Sequence, residues 1–69
     1  MKNNFTSRVY EQKVLKVITN TANIIDANCI INKSTIDNGE LVSIDFSSQQ
    51  KLERFIDSIR QQKIQSDFN

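Results

Sequence analysis

From Leu52 onward the apolar residues Leu52, Phe55, Ile56 and Ile59 recur at i, i+3, i+4 and i+7, which lays them along one face of an α-helix. Glu53, Arg54, Asp57, Arg60 and Gln61 fill the opposite face. Ser47 is placed to cap this helix, and Gln50, three residues on, completes an S-x-x-Q capping box. Lys63 stands where the next apolar residue would fall, so the helix should lose its packing between Arg60 and Lys63, with residues about 64–69 frayed.

Immediately upstream the period changes from 3.6 to 2. Val42, Ile44 and Phe46 alternate with Ser43 and Asp45, the pattern of a strand with one buried face. Asn38-Gly39 precedes it, and both residues tolerate the positive φ of a type I′ hairpin turn. Ala27, Cys29 and Ile31 can form the inward face of the partner strand. A two-residue loop at Asn38-Gly39 would set Asp37 opposite Glu40, two like charges. A longer loop beginning at Ile36 avoids the clash and brings Ile31 opposite Ile44.

The first third supports two readings. Tyr10, Val14, Val17, Ile18, Thr21 and Ile25 fall on one broad helical stripe, with Thr6 or Ser7 as a cap. The same stretch is rich in β-favouring types, so a strand from about Val9 to Thr19 is the competing assignment. Periodicity decides for the helix. The expected fold is therefore a single small α+β domain over residues 1–69, in the order helix–β-hairpin–helix (α-β-β-α), with ends frayed at about 1–6 and 64–69. The alternative is a three-stranded antiparallel meander plus a C-terminal helix.

Sixty-nine residues allow one domain. A chain of this size buries only roughly 60% of its unfolded surface, so small scaffolds usually lean on a disulfide, a metal or a partner. Cys29 is the single cysteine and there is no histidine, which removes the intrachain disulfide and the usual zinc or copper ligand set. Association is the remaining staple. Ten isoleucines and eight asparagines fit the AT-rich coding of a low-GC bacterium, a plastid or a phage, and supply enough aliphatic side chains for a core.

Candidate chemistry is thin. A reactive cysteine needs a base or a positive neighbour to lower its pKa, and Cys29 lies on the inward strand face with no histidine to serve it. A small buried hydrophobe is the role it fits. Glu53 and Asp57 share a helix face at i and i+4, but Lys51, Arg54 and Arg60 surround them in ordinary surface patterning. Gly39 is the only glycine, so no phosphate loop can be built. The chain is expected to be non-catalytic and to need no cofactor or metal.

Nine basic against eight acidic residues give a net charge of +1, which leaves no basic stripe for nucleic acid and no attraction to an anionic membrane. No apolar run approaches a bilayer span, and the N-terminus lacks the apolar core of a secretory signal, so a cytoplasmic protein is expected. The expected function is binding to another protein as a regulator, inhibitor or accessory subunit, and the chain is also expected to form a homo-oligomer, a dimer whose hairpin edges pair across a two-fold axis. Ile30, Ile36 and Leu41 alternate onto the second hairpin face, and Ile64 and Phe68 fall off the main helical stripe; these five are the candidate partner contacts. The alternative is a nucleic-acid-binding regulator that uses Arg8, Lys13 and Lys16 on the first helix. In layout alone, the α-β-β-(β)-α order resembles double-stranded-RNA-binding modules.

Overall fold

The computed structural model describes residues 3–62. Its elements run β1 (Asn4–Val9), α1 (Gln12–Ile25), β2 (Ile30–Ile36), β3 (Gly39–Asp45) and α2 (Gln49–Gln61). The architecture is α+β, with both helices on one face of a three-stranded antiparallel sheet of order β1-β3-β2. The order is thus β-α-β-β-α. The preferred α-β-β-α order lacked the leading strand. The alternative had a third strand but placed it at about Val9–Thr19, which meets the observed Asn4–Val9 only at Val9, and in a meander rather than the observed β1-β3-β2 order.

β3 is the central strand and pairs antiparallel with both neighbours, so β1 and β2 run parallel to each other across it. One row of inward residues is Phe5, Ile44 and Ile31, and the next is Ser7, Val42 and Lys33. The core forms over β1 and β3: Phe5, Val9, Val42, Ile44 and Phe46 are buried against Leu15, Ile18, Ala22, Phe55 and Ile59. Phe55 meets the Phe5 ring edge-on at 4.8 Å between centroids and lies 5.1 Å from Phe46. This aromatic trio pins α2 to the sheet.

The inward stripe of α1 centres on Leu15, Ile18 and Ala22, with Val14 and Ile25 at its margins. Tyr10, assigned to that stripe from the sequence, precedes the helix and is 54% exposed. Thr6 and Ser7 belong to β1, and Glu11 occupies the cap position of α1 without a side-chain bond. In α2 the expected stripe holds: Phe55 and Ile59 are buried, and Leu52 and Ile56 pack at the edge of the core. Its cap is one residue later than expected. Ser48 Oγ accepts the Lys51 N–H at 3.2 Å, because Ser47 is engaged elsewhere.

The hairpin pairs Ile31 with Ile44, as the longer loop beginning at Ile36 would have done, but it closes at Ile36 opposite Gly39. Its loop is therefore Asp37-Asn38. Only Asn38 takes a left-handed conformation (φ 66°), so the turn is not type I′, which needs positive φ at both central residues. Moving the loop one residue earlier also leaves Thr35, not Asp37, opposite Glu40, which removes the like-charge pair.

Candidate partner-binding surface

The helix-free face of the sheet carries Asn4, Thr6 and Arg8 from β1, Leu41, Ser43 and Asp45 from β3, and Ile30, Asn32, Ser34 and Ile36 from β2. Most of it is polar and internally bonded. The Asn4 Nδ2 amide donates to Ser43 Oγ at 2.9 Å and to Asp45 Oδ1 at 2.8 Å, and the Thr6 hydroxyl donates to Asn4 Oδ1. Of the candidate contacts, Ile36 and Leu41 are half-buried diagonal neighbours near the turn. Ile30 is 61% exposed but sits at the other end of β2, paired with Asp45. The three isoleucine and leucine side chains thus share a face without forming one patch. Ile64 and Phe68 lie outside the described residues.

The basic residues of the nucleic-acid alternative do not share a surface. Lys13 and Lys16 are exposed on α1, whereas Arg8 is on β1 and points to the helix-free side of the sheet. Arg8 was expected on the first helix; the leading strand overturns that placement.

Among the described residues β2 is one of the two edge strands of the sheet, the other being β1. Phe46 donates its backbone N–H to Asn3 O at 2.8 Å, which fixes the even-numbered residues of β3 as those bonded toward β1. The odd-numbered ones bond toward β2, where their partners are Ile30, Asn32, Ser34 and Ile36. Ile31, Lys33 and Thr35 consequently turn both N–H and C=O away from the sheet, toward its open edge. These same residues point their side chains to the helix side, yet Lys33 and Thr35 are exposed and Ile31 only half-buried. On β1 the corresponding inward residues, Phe5, Ser7 and Val9, are all buried. The helical layer covers the inward side chains of β1 but, on β2, reaches only Ile31 and leaves Lys33 and Thr35 exposed. Lys33 was missed as a candidate; counting two positions on from inward Ile31 would have found it.

The other polar cluster joins the two helices. Asp26 is buried at the end of α1, where Oδ2 accepts the Ser47 N–H and the Ser47 hydroxyl, each at 2.8 Å, and Oδ1 accepts the Asn28 N–H at 3.0 Å. The Ser47 amide is the main reason that this carboxyl stays below its ordinary value; partial desolvation opposes it, and the Ser47 hydroxyl, the Asn28 amide and the Lys51 charge add to the lowering. The Lys51 ammonium donates to Ile25 O at 3.1 Å, supplying from α2 the positive charge that the last turn of α1 lacks. Every donor here has a structural task, and the cluster reads as a clasp.

Cys29 is half-buried, 3.7 Å from Asn23 Oδ1, and its thiol is pushed up first by desolvation and then by the charge of Asp26. That opposes formation of a thiolate nucleophile. Ala27, expected to share its inward face, is exposed in the turn before β2. A shallow depression of about 230 Å³ opens between the hairpin turn and the start of α1, with Glu11 and Glu40 among its lining. No cluster of three His, Cys, Asp or Glu side chains among the described residues could hold a metal. No described helix is long and apolar enough to cross a membrane.

Compared with known proteins, the chain matches no family model, no curated protein and no solved structure significantly.

Proposed function

We propose that this chain is a non-catalytic binding module that acts on another protein as a regulator, inhibitor or accessory subunit, and that the open edge of β2 is its binding element. The observation that carries this reading is the coincidence, at Ile31, Lys33 and Thr35, of outward backbone groups with an uncovered helix-side flank. An extended segment of a partner can satisfy six backbone donors and acceptors there while its alternate side chains enter the space beside the helices. Six such bonds contribute roughly 3–9 kcal/mol in total, at about 0.5–1.5 each. Association costs of about 4–15 kcal/mol offset that gain, so side chains must decide affinity and choice of partner.

Proline at an edge position whose N–H faces solvent leaves the sheet intact but removes a donor from the edge. Thr35→Pro is therefore expected to retain the far-UV circular dichroism of the parent and to lose its partner. The measurement is affinity purification from the source cells with each chain, nuclease-treated and read by mass spectrometry. A folded Thr35→Pro chain that recovers the same proteins as the parent would refute the edge as the binding element. Recovery that depends on nucleic acid would favour the competing function.

A further inference from the structure

We propose that Lys33 selects the strand that β2 accepts, favouring an extended segment of a different protein with Asp or Glu opposite Lys33 over the edge of an identical chain. The inference rests on strand addition at β2 and adds the chemistry of the partner.

Lys33 occupies the middle of the seven-residue strand, among the residues that point to the helix side. Its cross-strand neighbour is Val42, which is fully buried. Among the described residues its ammonium has neither a hydrogen-bond nor an ion-pair partner. A solvated cation at an inward position of an edge strand is a recognised obstacle to edge-to-edge pairing. The register shows why it is effective here. The three outward-bonding residues, Ile31, Lys33 and Thr35, are symmetric about Lys33. Two copies related by a two-fold axis use all three on both chains only when the axis passes through Lys33, and that register sets ammonium against ammonium. Shifting the axis to Asn32 or Ser34 relieves the repulsion but forfeits part of the ladder. A different strand with a carboxylate at the central position keeps the whole ladder and gains an attractive cross-strand pair.

The protein itself can supply the acidic strand. Lys33 is exposed, so Lys33→Glu should fold as the parent does. Each chain alone is expected to sediment as a monomer at high micromolar concentration. An equimolar mixture of the two should associate roughly two- to thirtyfold more tightly than either alone, since one cross-strand pair changes from repulsive to attractive. In the mixture, hydrogen exchange at the amides of residues 31, 33 and 35 should slow, and Thr35→Pro in either chain should abolish the complex. Lys33→Val, which removes the cation, should self-associate. Wild type that pairs with itself through β2 as tightly as the mixture overturns the role of Lys33 while leaving strand addition in place. A mixture whose amides at the β2 edge stay unprotected, or whose association ignores Thr35→Pro, overturns both.

Discussion

A methyl group at position 39 has nowhere to go. A Cβ there would press into the carbonyl oxygen of Val9 and lie 2.8 Å from Cδ1 of Tyr10, where the end of β1 runs beside the start of β3. Gly39→Ala is expected to destabilise the fold by about 1–3 kcal/mol, read as a lower urea midpoint at unchanged slope. The Asn-Gly pair announced a turn in the sequence, but the reason for its glycine was not visible there. Asn38 supplies the left-handed residue, and Gly39 is small for the sake of a strand thirty positions earlier. Asp26 gives a second expectation at this scale. Its folded-state pKa is lowered, so its contribution to stability is fully present above the ordinary value of 3.8 and is lost as pH falls through the folded value. Asp26→Asn should lower the thermal midpoint at neutral pH and flatten its decline below about pH 4. A parent chain with the same acid profile as the variant would show that other carboxyls dominate.

The period-3.6 stripe of Leu52, Phe55, Ile56 and Ile59 made α2 legible, because four apolar residues at helical spacing need no knowledge of the rest of the chain. β1 was illegible for the opposite reason. Its inward series is Phe5, Ser7 and Val9, so a buried serine interrupts the alternation, and Thr6-Ser7 resembles a helix cap. Only pairing with β3, far along the chain, makes it a strand. The cap of α2 shows the same limit on a smaller scale. Ser47 and Ser48 are equal candidates until Asp26, on the other helix, claims Ser47. Ser48→Ala should accordingly cost about 1 kcal/mol through loss of the bond to the Lys51 amide, measured by chemical denaturation. Ser47→Ala should instead shrink the acid dependence assigned to Asp26.

At the level of the whole molecule, composition and period gave the α+β class, while the order of strands stayed hidden in contacts between distant segments. The surface shared that fate: Ile30, Ile36 and Leu41 were placed on the correct face, but the bare flank beside Lys33 follows from where the helices sit. The central position of β3 also governs how the chain reaches its fold. β1 is made before β2 and β3, yet among the described residues its strand partner is β3, and Asn4 finds Asp45 forty-one residues away. The β2-β3 hairpin, closed by two residues, can form within roughly 1–10 μs. Docking of β1 must close a much longer loop and should come late. Until then Phe5 and Val9 remain open to water and to neighbouring chains. Val9→Ala is therefore expected to speed unfolding and leave the refolding limb of a chevron plot nearly unchanged, whereas Val42→Ala should slow refolding. The first strand made is the last one home.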